Sequence, residues 1–409
     1  MVIGGGASGM MCSIFLAERG FETLLFEHNE KLGKKIFITG KGRCNLANEC
    51  SRDTFFSAVK RNSSFLYSSY SRFSSDDTIS FFNSIGLETK TERGNRVFPV
   101  SDKAYDVTDA LKSEMKRQGV KVHLNTEAVS VIYDEDRVKG VRIKEKGREC
   151  IEEILCDRVV IATGGASYPS TGSTGDGYRF AKEAGHTVTD LYPSLVSFTF
   201  KDGEYKGLAG LTLKNIRFTV TDPEKGTVFT DTGELLFTHR GISGPLVLRA
   251  SSCISGRADI EKLRYTVDLK PAVSFETFDK RLLRIFAENG SKDIINALKG
   301  VYPSSVLTVI LDNAGIDRHT KVSVLTKKMR GAIVKNTKEM VFEVSGTGGF
   351  EEAVITRGGV DIREIDPSTM ESRKKKGLYF TGEVLDLDAV TGGFNLQIAW
   401  TTTYAAGNS

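Results

Sequence analysis

Apolar and polar positions along the first 27 residues change period twice. Met1 to Gly6 reads as a short buried strand, Ala7 to Arg19 as a helix stopped by Gly20, and Phe21 to Glu27 as a second strand. In that second strand the run Thr23-Leu24-Leu25-Phe26 is closed by an acid, so the chain opens on a compact βαβ unit. Further on, the pattern predicts helices over Asp76–Ile85 and Asp106–Gln118. It predicts strands over Val120–Leu124, Ala128–Tyr133, Val138–Lys144 and Arg158–Ala162, with Asp134-Glu135-Asp136 at a turn. After about residue 190 the texture becomes that of an antiparallel β domain, with strands over Val196–Phe200, Thr212–Thr221 and Arg264–Leu269. Helical periodicity then takes over in Phe275–Asn289, Ser291–Leu298, Ser304–Ala314 and Lys321–Lys328. Strands are expected again near Glu339–Val344 and Glu352–Ile355. The last sixty residues place glycine turns between a strand, Leu378–Phe380, and a final helix.

At 409 residues the chain is too long for one ordinary core, and two or three domains are expected. Its 40% apolar and 26% charged residues are those of a globular protein, and no run of eighteen apolar residues predicts a membrane span. No signal peptide precedes the first strand, and so short an opening strand implies a trimmed N-terminus. The six cysteines (Cys12, Cys44, Cys50, Cys150, Cys156 and Cys253) form no CxxC and are irregularly spaced. That argues against a disulfide framework or zinc site and for a reducing, cytoplasmic setting. A net charge of +4 does not by itself imply nucleic acid. The charge is uneven, however: residues 274–338 hold twelve Lys/Arg against six Asp/Glu. This stretch is either a solvated helical face or a docking surface for an anionic partner such as a nucleotide or RNA.

Gly4-Gly5-Gly6-Ala7-Ser8-Gly9 matches GxGxxG, and it sits where that motif has physical meaning, between a strand and a helix. Gly4 permits the tight turn, Gly6 lets the backbone approach a pyrophosphate, and Gly9 lets the helix pack on the sheet. The N–H groups of Ala7 and Ser8, at the positive end of the helix dipole, face the phosphates. Glu27, at the end of the second strand, is placed to accept from ribose hydroxyls and disfavours a 2′-phosphate. FAD and NAD both fit this fingerprint.

Three further segments point to FAD. Val159-Val160-Ile161-Ala162-Thr163-Gly164-Gly165 resembles the ATGG turn of two-dinucleotide-binding-domain flavoproteins. Gly377-Leu378-Tyr379-Phe380-Thr381-Gly382-Glu383 resembles their second FAD motif, which delivers an acid toward the ribityl and pyrophosphate region. Gly392-Gly393-Phe394-Asn395-Leu396-Gln397 starts the last helix, whose N–H groups and dipole would face the flavin pyrimidine edge and stabilise it on reduction.

Longer segments carry a closer resemblance. Lys31-Leu32-Gly33-Lys34-Lys35 through Thr39-Gly40-Lys41-Gly42-Arg43-Cys44-Asn45-Leu46-Ala47-Asn48 is similar to the "GKK…SGGGRCNxTN" signature of the HI0933-like, or BaiN-like, flavoprotein family. Ser167 to Tyr178 resembles the family's loop after ATGG, and Leu236 to Pro245 its "LFTHxGxSGP" motif. Gly382 to Asp386 and Thr391 to Gln397 resemble its C-terminal signature. Lys41 stands where glycine is commoner and Ala47 where threonine is, and the last helix ends early at Gly407-Asn408-Ser409, as a trimmed chain would.

The resemblance implies an α/β fold: a Rossmann-like FAD-binding domain split between 1–190 and 346–409. An inserted β-barrel substrate domain over 191–273 and 327–345 and a helical insertion over 274–326 complete it. It implies FAD held by Gly4, Gly6, Ala7, Ser8, Gly9, Glu27, Lys35, Gly42, Arg43, Cys44, Asn45, Ala128, Val129, Thr163, Gly164, Gly165, Gly382, Glu383, Asp386, Gly392, Gly393, Phe394, Asn395 and Leu396. Members of the family reduce carbon–carbon double bonds in steroid-like enones, oxidise small amines such as aminoacetone, or reduce uridine in ribosomal RNA. The fold and cofactor therefore carry over better than the substrate.

For hydride chemistry a donor must protonate or polarise the substrate, and Tyr168, His239, Arg240 and Arg43 are the candidates. His239 is either a proton donor or anion anchor, or a structural histidine. Arg43 either binds a carboxylate or carbonyl, or forks across its own loop. Cys44 reads as a packed thiol. Tyr168 precedes Pro169, so its backbone is expected to be extended, with the ring near the flavin. His28, His123, His186 and His319 lie outside the motifs and read as surface or packing residues, with no metal cluster among them. No second GxGxxG opens a helix, so NADH or NADPH would dock transiently at the flavin face. The leading reading is an FAD enzyme reducing an activated C=C bond of a small or steroid-like substrate. RNA is the alternative substrate, drawing on the basic stretch and on Arg373-Lys374-Lys375-Lys376.

Overall fold

The computed structural model describes residues 1–201 and 205–409. The chain divides into two compact units, Met1–Ser194 with Gly349–Ser409, and Leu195–Gly348.

The first unit is built on a five-stranded parallel sheet. Its strands, in spatial order, are Leu378–Phe380, Val159–Ile161, Val2–Ile3, Leu24–Phe26 and Lys121–His123. Numbered along the chain this is 5-4-1-2-3, the doubly wound order in which the first strand lies between the second and the fourth. Pairing is in register: Ile3 lies opposite Ile161 and Phe26, and Ile161 opposite Phe380. The turns that follow these strands therefore leave the sheet from one edge. The strands Val2–Ile3, Val159–Ile161 and Leu378–Phe380 are short because the glycine turns cut them off and are buried throughout because both faces are covered, whereas the edge strand Lys121–His123 is exposed.

The first helix, Ala7–Glu18, covers one face, and the last, Phe394–Gly407, packs along it. The two helices approach closely. Ser8 Oγ lies 3.1 Å from Thr403 Oγ1, and a Cβ on Gly407 would fall 2.6 Å from Phe15 Cβ. Phe15 meets Tyr404 edge-on at 5.3 Å and Phe73 at 5.7 Å. Trp400 is fully buried and donates its indole N–H to the carbonyl of Leu46. A three-stranded meander, Thr126–Asp134, Arg137–Glu145 and Glu152–Leu155, and a second small sheet, Ala47–Asn48, Arg96–Pro99 and Thr89–Glu92, flank the parallel core.

A buried relay locks the C-terminal turns. His186 sits 3.0 Å from Glu364 and 2.7 Å from Ser372 Oγ, and Lys374 pairs with Glu364 at 2.8 Å. Burial lowers the imidazole's pKa against the opposing pull of Glu364. Ser372 Oγ also accepts the amides of Lys374 and Lys375, so this serine–histidine–glutamate array is a turn lock with no free nucleophile. Within the basic run Arg373–Lys376, Lys376 is exposed and the other three lie near acids. Lys374 is tied to Glu364, Lys375 to Asp136, and Arg373 lies 3.8 Å from Asp366.

The second unit holds a seven-stranded antiparallel sheet in the order Met340–Phe342, Arg264–Asp268, Thr212–Asp222, Gly226–Phe237, Gly241–Ser243, Phe198–Phe200, Val344–Thr347. The two terminal strands of this order are separated in sequence only by Glu343. Helix Lys327–Lys338 packs against both Phe275–Glu288 and Ser304–Asn313 in the same unit. Two helix expectations need correction. Ser291–Leu298 forms only the turn Ile294–Ala297, and the helix expected over Lys321–Lys328 instead starts at Lys327 and runs to Lys338. The Thr326 hydroxyl caps it by accepting from Met329 N–H, so the start signal lies at the end of the expected segment, and Gly331 obscured the periodicity beyond it. Among the described residues no helix is long and apolar enough to cross a membrane.

Candidate functional site

The site follows from the strand order. Between the first strand and Val159–Ile161 the sheet reverses its winding, and at such a point a crevice opens beyond the carboxyl ends of the strands. Two glycine turns flank it. Gly4 has φ +102, and a Cβ on it would lie 2.6 Å from the Ala162 carbonyl, so only glycine lets the first turn pass the strand beside it. Gly9 lies tighter still, since a Cβ there would lie 1.7 Å from the Gly4 carbonyl.

The Glu27 carboxylate is buried beneath this turn. One oxygen accepts from Gly5 N–H at 2.7 Å, and the other from Asn29 N–H at 2.8 Å and Asn29 Nδ2 at 2.7 Å. Thr126 N–H bonds the Glu27 carbonyl, which sets Ala128 and Val129 two and three residues along the neighbouring strand. Lys35 crosses from its short helix, Lys34–Ile38, to Ser167 Oγ at 2.6 Å and to Glu383 at 2.8 Å. Glu383 also accepts from Ser167 Oγ at 2.6 Å and from Thr356 N–H at 2.8 Å. Burial works to raise the pKa of this carboxyl, but Lys35 and the other donors prevail and hold it below its ordinary value.

From the C-terminal side, Gly392 and Gly393 take φ +133 and +97 to start the last helix, and a Cβ on Gly393 would lie 2.3 Å from the Ala47 carbonyl. Asn48 donates to the Gly392 carbonyl at 2.9 Å. The Asn395 side chain grips the preceding turn through Ala389 N–H and the Ala389 carbonyl, both at 2.9 Å. Phe394 is buried and Leu396 half-buried. The turns at 4–9, 27, 35, 163–165, 382–383 and 392–396 thus meet at one edge of one sheet, although residues 9 and 382 lie at opposite ends of the chain.

Other expected residues stand as follows. Gly40, Lys41 and Gly42 have φ +56, +59 and +84, and Cys44 has +60. The departure at Lys41 therefore places a side chain at a left-handed position, where glycine is the easier residue. Arg43 spends its guanidinium on Glu92 and Asp102 and lies 4.1 Å from the Phe98 ring centroid, which is the loop-fork reading. Burial pushes the Cys44 thiol up to about 12, as in a packed thiol. Tyr168 corrects the expectation of an extended backbone. Its φ is +52 and ψ +60, because its carbonyl accepts from Thr171 N–H and Oγ1 while its own N–H is held by Phe350. His239 and Arg240 are exposed on the turn between the strands Gly226–Phe237 and Gly241–Ser243 of the second unit. Sequence reading missed Ser167, Thr356 and Asn48 as site residues. Ser167 and Asn48 lay inside quoted motifs, whereas Thr356 had no local signal.

The residues present fit a dinucleotide. No side chain caps the first helix at Gly6, and a Cβ there would meet nothing within 4 Å, so the helix N-terminus faces open space. The last helix is likewise uncapped by a side chain at Gly393. Asn45 Oδ1 and Thr163 Oγ1 are buried without a hydrogen-bond partner, as acceptors awaiting hydroxyls would be. Among the described residues no group of three metal-ligating side chains occurs.

Comparison with known proteins agrees. The family model for the HI0933-like protein Rossmann domain matches residues 1–409. The chain belongs to the HI0933-like family. It is 32% identical over 420 residues to the 3-dehydro-bile acid delta(4,6)-reductase of Clostridium scindens, covering 100% of this chain and 98% of that protein. It is also 32% identical over 408 residues to the ribosomal RNA dihydrouridine synthase of Escherichia coli, covering 99% and 96%. In fold it is similar to the 3-ketosteroid-delta4-(5alpha)-dehydrogenase of Rhodococcus jostii, with TM-score 0.53, 15% identity, and 99% and 95% of the two chains covered. The chain is an FAD-dependent oxidoreductase. When bound, FAD supplies two-electron hydride chemistry. This chain's own residues would offer donors at two helix N-termini, one toward the phosphates and one toward the flavin ring, acceptors at Glu27, Asn45 and Thr163, and the half-buried Lys35–Glu383 pair.

Proposed function

We propose that the protein reduces a C=C bond conjugated to a carbonyl in a small, steroid-like substrate of the bile-acid enone type, drawing electrons from NADH or NADPH through FAD. The observation that carries this reading is the uncapped N-terminus of the last helix at Gly392–Gly393, packed against Ala47 and Asn48. A helix dipole there would stabilise negative charge on the pyrimidine edge of reduced flavin, the form that gives hydride to the substrate. The Clostridium scindens relative, matched over nearly its whole length, supports the substrate class. On this reading Gly4, Gly6, Ala7, Ser8, Gly9, Glu27, Lys35, Thr163, Gly164, Gly165, Gly382, Glu383 and the 392–396 turn hold the cofactor. Tyr168, His239 and Arg240 are the groups to polarise or protonate substrate, and Arg43 is a loop residue. The second unit, Leu195–Gly348, is the inserted substrate domain: a β-barrel carrying a helical insertion that runs from about residue 274 to Lys338 rather than ending at 326. The test is anaerobic. Flavin reduced with NADH or NADPH should reoxidise on adding a 3-keto-Δ4 steroid, and flavin that stays reduced with every conjugated acceptor refutes the reading.

A second reading has its own observation. Lys280, Arg281 and Arg284 on Phe275–Glu288 and Lys327, Lys328 and Lys335 on Lys327–Lys338 are all exposed. The C5=C6 bond of uridine is conjugated to a carbonyl as an enone is, so the same hydride chemistry would reduce it. The Escherichia coli relative supports ribosomal RNA as substrate. Binding of ribosomal RNA that weakens steeply between 50 and 200 mM salt, as about six phosphate contacts would require, favours this reading, and no binding at low salt removes it.

A further inference from the structure

Lys35, Ser167 and Glu383 come from three separate segments and close a ring of hydrogen bonds. Lys35 Nζ donates to Ser167 Oγ at 2.6 Å and to Glu383 Oε2 at 2.8 Å, and Ser167 Oγ donates to Glu383 Oε1 at 2.6 Å. Thr356 N–H adds a third bond to the same carboxylate at 2.8 Å, and Thr356 Oγ1 accepts from Ala166 N–H at 2.8 Å. Ser167 and Thr356 are buried, and Lys35 and Glu383 keep only 22% and 20% of their side-chain surface.

Each member of the ring stands next to a turn of the FAD cradle. Gly33, two residues before Lys35, donates its N–H to the Gly5 carbonyl at 2.9 Å. Gly165, two residues before Ser167, lies so close that a Cβ on it would fall 2.8 Å from Glu383 Oε1 and 2.5 Å from Thr356 Oγ1. Gly382, next to Glu383, donates its N–H to Thr402 Oγ1 at 3.0 Å, and a Cβ on it would strike Ser8 Oγ in the first helix. The ring therefore joins the turns at 4–9, 163–165 and 382–383 at points where none of them has room to shift.

The donors and acceptors already used limit what the ring can give a ligand. An ammonium has three hydrogens, and Lys35 spends two of them inside the ring; a carboxylate has about four acceptor positions, and Glu383 has three of them filled. The two charges cancel, so the ring sets no net positive charge opposite a pyrophosphate. That charge is left to the amides at the uncapped start of the first helix. We propose that Lys35 is a positioning residue: it holds the Glu383 carboxylate in place and, through Ser167, fixes three cofactor turns relative to one another, rather than binding the phosphates itself. This rests on the reading above that these turns hold FAD. Without Lys35, Glu383 is left as a half-buried carboxylate with no counter-charge, and burial then drives it toward its protonated form.

The test is FAD affinity, measured by fluorescence titration of the FAD-free protein from pH 5 to pH 8. It compares wild type with Lys35→Met, Glu383→Gln, the double variant and Ser167→Ala. Lys35→Met should lose about 30-fold or more at pH 8, as when one partner of a half-buried ion pair is removed. The loss should shrink toward pH 5, where Glu383 takes up a proton and no longer stands as an uncompensated charge. In the Glu383→Gln background, Lys35→Met should cost no more than about 3-fold and show no pH trend, because the charge it balanced is gone. Ser167→Ala keeps both charges and removes one link of the ring, so it should lose about 3-fold at every pH. A Lys35→Met loss of the same size in both backgrounds and at every pH overturns the proposal, since the lysine would then contact the phosphates directly. Native affinity in Lys35→Met overturns it too. Should Lys35→Met fail to fold, Ser167→Ala decides: native affinity there overturns the proposal, and the expected loss supports it. Wild type that takes up no FAD refutes the reading of the cradle itself, and the positioning role falls with it.

Discussion

Asp388, on the stretch between Glu383 and the last helix, is 1% exposed with no hydrogen-bond partner on either carboxylate oxygen, and it makes a stability prediction that needs no substrate or cofactor. In the unfolded chain Asp388 titrates at its ordinary value near 3.8, whereas in the folded protein it does so at about 6. Below pH 3.8 both states are protonated and the group costs the fold nothing electrostatic. Between the two values folding takes up a proton, and stability falls as pH rises. Above about 6 both states are ionised and the fold bears the full burden, which the interval from 3.8 to about 6 sets at roughly 3 kcal/mol. Asp388→Asn carries no charge at any pH. Urea or thermal unfolding of wild type and Asp388→Asn, both without FAD, should therefore give curves whose separation grows between pH 4 and pH 6 and then levels off. The variant should gain roughly 3 kcal/mol above pH 6 relative to its standing at pH 4, or roughly 5 °C in midpoint. The plateau should change little between 50 and 500 mM salt, because a buried carboxyl is poorly screened. Two curves running parallel from pH 4 to 8, or a gap that shrinks as pH rises, would refute the reasoning.

Three other substitutions probe the frame. Gly9→Ala puts a Cβ where the Gly4 carbonyl lies, 1.7 Å away, so the purified protein should be nearly colourless and its FAD affinity should drop by about 100-fold or more; fluorescence titration with FAD checks this, and native affinity rejects the close-approach argument. Lys41→Gly removes a side chain from a left-handed position and should stabilise the protein by about 1 kcal/mol in urea melts, while destabilisation would show that the Lys41 side chain contributes more than its backbone costs. His186→Ala takes a buried imidazole from between Glu364 and Ser372 and should cost roughly 2–4 kcal/mol. Because burial lowers the pKa of that imidazole, the unfolded state binds the extra proton, so wild type should lose stability as pH falls below 6.5 and His186→Ala should lack that component.

The cofactor-binding half of the molecule was legible because its chemistry is local. Gly4, Gly6 and Gly9 declare a turn and a helix packed against it within six residues, and each of the strands before a glycine turn is an apolar run with a clear end. The helix over 75–84 and the first two strands of the meander could likewise be read from their own periodicity, whereas its third strand, Glu152–Leu155, was not expected. Where local signals were weak or displaced, the reading slipped. The helix Lys327–Lys338 was shifted because its cap lies inside the segment expected to be helical, and Tyr168 was taken as extended from the proline after it. Its left-handed turn is set by a contact with Phe350, almost two hundred residues away.

The sequence by itself determined the parts: a glycine turn opening a helix, an acid closing the second strand, a Thr-Gly-Gly turn, and a glycine start to the last helix. All of these follow from the steric and hydrogen-bonding needs of a few adjacent residues. Tertiary structure alone decided which parts meet and in what electrical state. Lys35 finds Glu383 across 348 positions, Arg43 is claimed by Glu92 and Asp102, and Asp388 is left without a partner although its sequence neighbourhood is as acidic as that of Glu383. The physical reason is that a carboxyl's proton affinity depends on the water, donors and charges within a few ångströms of it. Those are delivered by strands and turns remote in sequence, so two acids in one loop acquire different chemistry only once the chain has folded.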